Sequence, residues 1–337
     1  MNAFYDVAVV GATGAVGAMV LSILEERQFP TGQLYLLASK RSAGEILDFK
    51  GNSYLVEDLA DFDFKKTQIC FFCTTNDISA SYAPKAAAHG NIVIDKSSYF
   101  RYEKNVALIV PEVNLDALKP FNKKNIIANP NCNTIPLVVV LKPIYDAVGI
   151  SRINVATYQS VSGSGKEGIS ELADQTASLL NGKPIKPKLY SEQIAFNILP
   201  HIDEVQENGY TKEELKIIWE TQKILSDDTI KINPTAVRVP VFYGHSAALH
   251  IETKKKLTVE ETMRLLKKTE GVTLCTGKHD YASPVAAAGK DAVYVGRIRE
   301  DVSHGLGLNL WVVTDNLRKG AALNAVQIAE QVIKHYL

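Results

Sequence analysis

Short apolar runs alternate with amphipathic stretches along the first third of the chain. Runs rich in β-branched residues predict strands, whereas apolar residues three and four positions apart predict helices. This pattern predicts strands at residues 6–10, 33–38, 69–73, 92–95 and 126–128 and helices at 15–28 and 78–89. Because strands and helices take turns, the pattern is typical of an α/β fold with a parallel, doubly wound sheet.

Longer strands dominate the rest of the chain. The pattern predicts helices at 134–148, 169–180 and 316–335 and strands at 151–160, 230–243, 246–253, 293–299 and 307–313. The proline-containing segment 181–201 has little periodicity and predicts a surface excursion. Thr211 followed by Glu214 predicts a capping box for a helix that runs to Leu225. Long strands with few helices between them favour a second domain with a mixed, largely antiparallel sheet.

Composition adds mainly exclusions. The 337 residues exceed what one core usually holds, which favours two domains. Lys plus Arg and Asp plus Glu both number 37, and this neutrality argues against nucleic acid or a membrane surface as a partner. The four cysteines are too few for a disulfide framework, and the N-terminal residues lack the pattern of a secretory signal. We therefore expect a reducing, cytoplasmic setting.

A glycine-rich loop, GATGAVG, follows the first predicted strand and precedes the first predicted helix. Small residues at such a place let the backbone approach a pyrophosphate at the positive end of the helix. A bare tight turn is the alternative, but the position after the first strand favours a dinucleotide site. The residues expected to form it are Gly11, Thr13, Gly14, Ala15, Val16 and Gly17.

The end of the second predicted strand indicates which dinucleotide binds. An NAD site usually has Asp or Glu about 20 residues beyond the glycines, to bind the ribose hydroxyls. This chain instead has Ser39, Arg41 and Ser42, and a guanidinium with hydroxyls can hydrogen-bond a 2′-phosphate. NADP is therefore favoured over NAD, with a solvated basic turn as the alternative.

Cys132 stands between a predicted strand and a predicted helix, in the sequence NPNCNT. A thiol at a helix N-terminus feels the helix dipole, which favours the thiolate and nucleophilic chemistry. A lone cysteine is more often an inert buried residue, but the polar Asn neighbours argue against that interpretation here. Cys70 and Cys73 lie three residues apart in an apolar strand and point to opposite faces, so they predict neither a redox pair nor a metal site. No other cluster has convincing ligand spacing, and we expect no metal.

A nucleophilic cysteine needs an acid/base partner, which is usually a histidine. His245 is favoured because it follows a predicted strand at a glycine turn, where a side chain can reach a cleft. The residues alone leave the other histidines open as alternatives: His89, His201, His250, His279, His304 and His335.

Eight motifs together resemble aspartate-semialdehyde dehydrogenase, and the resemblance covers essentially the whole chain. Besides GATGAVG and NPNCNT, the motifs are DKSSYFR at 95–101, VPEVN at 110–114, YQSVSGSGKEG at 158–168, ETQKIL at 220–225, RVPVFYGHS at 238–246 and DNLRKGAA at 315–322. The resemblance implies NADPH-dependent conversion of aspartyl 4-phosphate into aspartate semialdehyde and phosphate, through a thioester on Cys132. It places that reaction in lysine, methionine and threonine biosynthesis.

The resemblance also implies the domain organisation. Residues 1–132, with a C-terminal helix at 315–337 returning to them, would form an NADP-binding Rossmann domain. Residues 133–314 would form an α+β domain for substrate binding and dimerisation, in a homodimer.

Catalytic roles for three residues follow from the same resemblance. Cys132 would be the nucleophile, and His245 would be the acid/base that acts on the thiohemiacetal oxygen. Gln159 would orient the substrate or intermediate.

Substrate and cofactor contacts are implied in the same way. Arg238 would clamp the α-carboxylate and Glu220 the α-ammonium of the substrate. The phosphate would be held by Arg101 and Lys223, with Lys216 as a rival ligand, although Glu220 and Lys223 could also be an ordinary helix pair. The contacts on the nicotinamide side would be Ser162, Gly163 and Asn316.

Three alternatives stay open. Another phosphorylating aldehyde dehydrogenase or acyl-phosphate reductase, acting on N-acetylglutamyl phosphate or glyceraldehyde 3-phosphate, would carry different flanks around its cysteine. A non-redox Cys/His acyltransferase or thioesterase would not need the glycine loop. A catalytically dead paralogue that only binds nucleotide would not need both Cys132 and His245.

Overall fold

The computed structural model describes residues 4–119, 124–277 and 280–337, and the chain forms two compact units. The first unit comprises Met1–Asn131 and Ala321–Leu337, and the second comprises Cys132–Gly320. Cys132 therefore begins the second unit, whereas the sequence analysis ended the first domain on it.

A mostly parallel sheet forms the centre of the first unit. Its strands are β1 (Tyr5–Val10), β2 (Thr31–Ala38), β3 (Ile46–Phe49), β4 (Asn52–Asp58), β5 (Ile69–Phe72), β6 (Ile92–Asp95), β7 (Ala107–Leu108) and β8 (Ile126–Ala128). Their order is β3-β4-β2-β1-β5-β6-β8-β7, and β3 with β4 is the antiparallel pair. Because β1 has β2 on one side and β5 on the other, the loop after β1 lies at the switch point of a doubly wound sheet, which confirms the predicted class.

The sheet of the second unit is mixed. Its strands are β9 (Ile150–Gln159), β10 (Lys231–Arg238), β11 (His245–Thr253), β12 (Val272–Leu274), β13 (Val293–Glu300) and β14 (Gly307–Thr314). In the order β10-β9-β11-β14-β13-β12 the two outer pairs are parallel and the three inner pairs antiparallel. The prediction of a mixed, largely antiparallel sheet is confirmed.

Helices cover these sheets. They are α1 (Ala15–Glu26), α2 (Asn76–Ala88), α3 (Pro111–Asn114), α4 (Thr134–Val148), α5 (Gly165–Leu180), α6 (Lys212–Leu225), α7 (Val259–Lys267), α8 (Pro284–Ala287) and α9 (Leu323–Tyr336). In the first unit α9 packs on α1 and α3 and buries Leu323, Val326 and Val332, which anchors the C-terminal segment there. No helix within the described ranges combines the length and apolar character that crossing a bilayer requires.

Two predicted elements end or begin elsewhere than expected. The strand predicted at 230–243 stops at Arg238, because Pro240 cannot continue a ladder and Gly244 turns the chain with φ of 87°. The predicted final helix begins at Leu323, because a π-helical turn at Arg318–Ala322 precedes it. In that turn the Asp315 carboxylate accepts the backbone N–H groups of Leu317 and Arg318.

The sequence analysis also missed short elements. It predicted no strand for the β3–β4 hairpin, whose cross-strand pair Ile46 and Leu55 is exposed, so no buried face marks it. The segment 181–201 forms no helix, as expected, and docks through its backbone. There the Gln175 carboxamide oxygen accepts the N–H groups of Ile194 and Ala195.

Candidate active site

The loop between β1 and α1 leaves no space for a side chain at Gly11 or Gly17. Gly11 has φ of 80°, and a Cβ atom on it would lie 2.4 Å from the Cys73 carbonyl oxygen. A Cβ atom on Gly17 would lie 2.2 Å from the Gly11 carbonyl oxygen. Gly14 caps α1 without a side chain, and the first helical turn carries no acid. A dinucleotide can therefore approach the backbone of the loop closely, and its phosphates would then lie at the positive N-terminus of α1.

We expect Gly17→Ala to weaken NADPH binding about tenfold or more and to lower the free energy of unfolding by about 1–3 kcal/mol. The reason is overpacking against a backbone atom, which cannot rotate away. Cofactor titration by fluorescence and chemical unfolding measure the two effects. Gly305→Ala is the matched control, because a Cβ atom there meets nothing within 4 Å. Equal behaviour of the two variants would contradict the steric argument.

The residues predicted to select the cofactor lie in a turn directly after β2. Its backbone is closed by N–H groups of Ser42 and Ala43, which donate to the Ser39 carbonyl at 2.8 and 3.1 Å. Ser39 and Arg41 are exposed and Ser42 is half-buried, so their polar groups are open to a ligand. Thr13 lies in the glycine loop itself and is also half-buried.

Arg101, a predicted phosphate ligand, belongs to the first unit. Its side chain is 6% exposed, and its Nη2 donates to the Lys96 carbonyl at 2.6 Å. That contact holds the guanidinium in one place, which suits a bidentate ligand for an anion.

One edge of the sheet in the second unit gathers several of the predicted site residues. β9 and β10 are parallel, and their last residues Gln159 and Arg238 are register partners. β11 runs antiparallel to β9 and β14, so it begins with His245 at the edge where those strands end. Asn316 follows the end of β14 by two residues and lies at the same edge.

Ser160 holds the imidazole ring of His245 through hydrogen bonds at Nδ1. The backbone N–H of Ser160 donates to Nδ1 at 3.1 Å, and the Ser160 hydroxyl lies 3.1 Å from the same atom. Nε2 is buried, and no group in the described part of the chain hydrogen-bonds to it. Burial, with the Arg238 charge adding to it, lowers the pKa of His245 to about 3, against a smaller opposing effect of the Gly244 backbone. The ring is therefore neutral at physiological pH.

Asn316 and Gly163 set the surroundings of this histidine. The Asn316 carboxamide oxygen accepts the hydroxyls of Ser160 and Ser162 at 3.1 Å each and the Gly244 N–H at 3.0 Å. A Cβ atom on Gly163 would lie 3.0 Å from Nη1 of Arg238 and 3.3 Å from Nε2 of His245. Gly163 therefore leaves the space beside Nε2 free of a side chain.

Cys132 lies two residues before the first residue of α4, at the strand-to-helix junction that the sequence predicted. Asn133 caps the helix, and its Nδ2 lies 3.8 Å from the Cys132 sulfur. The Gly320 backbone packs against Cys132, because a Cβ atom on Gly320 would lie 3.3 Å from the Cys132 Cβ. The sulfur therefore lies near the positive end of α4, beside the Asn133 carboxamide and close to the Gly320 backbone.

A carboxylate that the sequence analysis did not select connects these groups. Glu213 Oε1 accepts the side-chain amides of Asn133 at 3.0 Å and Gln159 at 3.3 Å. Its second oxygen lies 3.3 Å from the Lys216 ammonium, which also binds Asp203 at 2.7 Å. Glu213 thus joins the loop that holds Cys132 to the end of β9.

Glu220 and Lys223 occupy the same helix, farther along. α6 begins with the capping box of Thr211 and Glu214, as predicted. Glu220 is seven residues beyond Glu213, a rise of about 10 Å along the axis. Both carboxylates are buried, and neither spacing nor composition tells which turn of α6 contacts the loop that holds Cys132. The tertiary contacts with Asn133 and Gln159 are the signal that the sequence lacks.

The other cysteines and histidines show no comparable arrangement in the described residues. Burial raises the pKa of Cys70 and of Cys73 to about 12, and burial also raises the pKa of Cys275. His250 is paired with Asp301 at 2.7 Å. His279 lies outside the described residues.

Comparison with known proteins agrees with this geometry. The profile of the semialdehyde dehydrogenase NAD binding domain matches residues 6–120, and that of the semialdehyde dehydrogenase dimerisation domain matches 141–319. An aspartate-semialdehyde dehydrogenase of Shewanella sp. (strain DB6705) is 56% identical over the full length of both chains. The crystal structure of aspartate semialdehyde dehydrogenase II from Vibrio cholerae, complexed with ASA, has a TM-score of 0.98 at 54% identity and is also covered completely. A probable aspartate-semialdehyde dehydrogenase of Pseudomonas aeruginosa has a TM-score of 0.93 at 38% identity, over 99% of this chain and 100% of its own. Two matching domains and full-length relatives show that the chain belongs to the aspartate-semialdehyde dehydrogenase family.

Proposed function

We propose that the protein is an NADP-dependent aspartate-semialdehyde dehydrogenase, which interconverts aspartyl 4-phosphate and aspartate semialdehyde through a thioester on Cys132. The observation that carries the proposal is the contact chain from Cys132 through Asn133 and Glu213 to Gln159, on the strand edge that also holds His245. A thiolate can add to an aldehyde, and the resulting thioester is reactive enough for phosphate to cleave it.

The charged groups of this edge suit a free amino-acid substrate. Arg238 offers a guanidinium to the α-carboxylate, and a carboxylate on α6 accepts the α-ammonium. Glu213 is better supported than Glu220 for the second role, because its contacts reach Gln159 and the loop of the nucleophile. An N-acetylated substrate has no ammonium for such a carboxylate, which disfavours the acetylglutamyl alternative.

The phosphate needs cationic ligands, which Arg101 and a lysine on α6 supply. Lys216 is better supported than Lys223 because its ammonium already lies 3.3 Å from the Glu213 carboxylate. A rigid guanidinium and a mobile ammonium are each suited to binding a phosphate.

NADP would be held by residues that offer backbone N–H groups, hydroxyls and one guanidinium. These are Gly11, Thr13, Gly14, Ala15, Val16, Gly17, Ser39, Arg41, Ser42, Ser162, Gly163 and Asn316. Two features support this fit: the glycine loop is closely packed and has little side-chain bulk, and no side chain caps the N-terminus of α1. When bound, the cofactor accepts a hydride from the substrate carbon in the oxidative direction.

The setting of the enzyme follows from the same family. The second unit carries the dimerisation domain, and the enzyme assembles as a homodimer. We expect a cytoplasmic location, because the small number of cysteines in the sequence predicts a reducing setting.

We expect Arg41→Ala to raise the KM for NADP by about 10- to 100-fold while leaving the KM for NAD nearly unchanged. A charge-assisted hydrogen bond contributes about 1.5–3 kcal/mol, and only NADP has the 2′-phosphate that receives it. Steady-state kinetics with both cofactors measure the difference. Lys65→Ala, an exposed lysine elsewhere on the first unit, controls for a general loss of positive charge. Equal losses with NAD and NADP would show that Arg41 does not read the 2′-phosphate.

The function itself is tested by NADP reduction with aspartate semialdehyde as the substrate. We expect the rate to require phosphate and to fall strongly when NAD replaces NADP. Tight NADPH binding without any turnover of this aldehyde would overturn the proposal and direct attention to other acyl phosphates.

A further inference from the structure

We propose that Asp315 is a positioning residue for Cys132, which acts through the π-helical turn at Arg318–Ala322. Its carboxylate holds the segment Asp315–Gly320 in one conformation, and Gly320 at the far end of that segment packs against the cysteine. The inference rests on the proposed function for the reaction that is measured, but the position of the thiol is a property of the protein alone.

The Asp315 carboxylate lies inside the protein and binds three backbone N–H groups. Asp315 is 3% exposed. Its Oδ1 accepts the N–H groups of Leu317 at 2.8 Å and Arg318 at 3.0 Å, and its Oδ2 accepts the Gly289 N–H at 2.7 Å. A carboxylate accepts at both oxygens, whereas a carboxamide in its place would set an NH₂ group against at least one of these donors. The contacts therefore require an acid here, and they tie the turn to the segment between α8 and β13.

The backbone of Asp315 closes the same turn. Its carbonyl oxygen accepts the Gly320 N–H at 3.1 Å, and this bond spans five residues, as in a π-helix. Single π-helical turns are frequent at functional sites. Asp315 thus binds the N–H groups of residues 317, 318 and 320 through its side chain and backbone together. The conformation of the segment depends on this one residue.

Gly320 transmits the conformation of the segment to Cys132. A Cβ atom on Gly320 would lie 3.2 Å from the Cys132 carbonyl oxygen and 3.3 Å from the Cys132 Cβ atom. A side chain there would force its neighbour to give way by a few tenths of an ångström. Because closely packed groups transmit strain, a shift of the turn moves Cys132 relative to the N-terminus of α4.

The other end of the segment is held independently of Asp315. The Asn316 carboxamide oxygen accepts three hydrogen bonds at 3.0–3.1 Å, from the hydroxyls of Ser160 and Ser162 and from the Gly244 N–H. These partners lie at the edge of the sheet where β9 ends and β11 begins. Asp315 sets the conformation of the chain from 316 to 320, so it fixes the position of Cys132 relative to this edge.

The position of a thiol matters when it adds to a carbonyl carbon, because the rate depends on distance and alignment. An error of about 1 Å in the place of a reacting group can lower the rate by about a hundredfold. The N-terminus of α4 also favours the thiolate, and that effect falls off within the first helical turn. Asp315 therefore supports Cys132 in two ways, by aligning the sulfur and by keeping it near the helix.

Substitution at both ends of this contact path tests the proposal in turnover. We expect Asp315→Asn and Gly320→Ala each to lower kcat for phosphate-dependent NADP reduction by about tenfold, because each displaces Cys132 by less than about 1 Å. Asp291→Asn is the matched control, since it removes the ion pair with Arg318 at 2.6 Å and leaves the backbone contacts of the turn intact. It should change kcat by less than about twofold. Chemical unfolding verifies that each variant is folded under the assay conditions.

The double variant distinguishes positioning from a general loss of structure. If both residues act through the contact between Gly320 and Cys132, the double variant should lose about 10- to 20-fold and not the product of about 100-fold. A loss equal to the product would show that Asp315 acts elsewhere. A kcat of Asp315→Asn that matches the Asp291→Asn control would equally overturn the positioning role.

Alkylation measures the position of Cys132 without any substrate. Full-length protein without ligands is treated with iodoacetamide near neutral pH, and peptide mass spectrometry follows Cys132 and Cys275 in the same sample. We expect Asp315→Asn to slow modification of Cys132 about fivefold, because a sulfur displaced from the α4 N-terminus is less often a thiolate. Cys275, a half-buried thiol of the same unit, should react at its wild-type rate.

Gly320→Ala should slow alkylation of Cys132 in the same way. This variant keeps every hydrogen bond of the turn, so it tests the contact with Cys132 even if Asp315→Asn is too unstable to assay. Unchanged or faster alkylation of Cys132 in these variants, or an equal change at Cys275, would contradict the proposal. Absence of wild-type turnover with aspartate semialdehyde would instead count against the proposed function, and the alkylation rates would then decide the inference by themselves.

Discussion

Replacing Cys132 with serine should lower kcat for phosphate-dependent NADP reduction by about 10⁴-fold or more. The serine hydroxyl is a far weaker nucleophile near neutral pH, and a helix N-terminus cannot ionise it as it does a thiol. Losing the covalent step removes the thioester on which phosphate acts, so other groups of the site cannot compensate. Initial rates at saturating aspartate semialdehyde measure the effect.

The intermediate gives a second, independent measurement of the same prediction. Acid-quenched wild-type enzyme mixed with NADP and aldehyde, without phosphate, should carry the aspartyl group on the peptide that contains Cys132. Cys275→Ser is the matched control, because Cys275 is a half-buried thiol of the same unit whose pKa burial raises. Retention of about a tenth of the activity in Cys132→Ser would contradict the role of Cys132 as nucleophile.

Glu213→Gln should lower kcat/KM for aspartate semialdehyde by about a thousandfold, and Glu220→Gln by less than about tenfold. The Glu213 carboxylate accepts hydrogen bonds from Asn133 and Gln159, so its loss removes a charge for the substrate ammonium and disturbs two neighbours of the nucleophile. Truncating one partner of a buried charged interaction typically costs about 2–5 kcal/mol, which brackets this change. Steady-state kinetics of the two variants measure the comparison.

The pair of variants is matched because both lie on α6 and both carboxylates are buried. Chemical unfolding of each variant separates a loss of stability from a loss of substrate binding. A larger kinetic effect at Glu220 than at Glu213 would return the ammonium-binding role to Glu220, as the family resemblance first implied.

The largest local features of the fold follow from the sequence because they depend on neighbours along the chain. The alternation of apolar runs and helical periods predicts the doubly wound sheet. The structure has this sheet, with β1 between β2 and β5. The glycine loop and the place of Cys132 before α4 are likewise strand-to-helix junctions, where the spacing of a few residues determines the geometry. A capping box such as that of Thr211 and Glu214 is equally local.

Site residues that are identified by contacts between distant parts of the chain are harder to predict from the sequence. Periodicity places Glu213 and Glu220 on one helix, but only the packing of α6 beside the start of α4 and the end of β9 selects Glu213. The role of Ser160 has no motif of its own, because its donor is a backbone N–H that any residue except proline provides. The importance of this N–H group can be recognised only when the structure shows that its acceptor is Nδ1 of His245.

The sequence by itself therefore determined the fold class and predicted a nucleotide-binding loop and a nucleophile, since each depends on the spacing of residues close together in the chain. The tertiary structure decided which carboxylate contacts Asn133, which backbone group binds Nδ1 of His245 and where β10 ends before that histidine. The physical reason is that those three features arise where separate strands and helices meet. Hydrogen-bond partners and burial there depend on residues as far apart as Ser160 and Asn316.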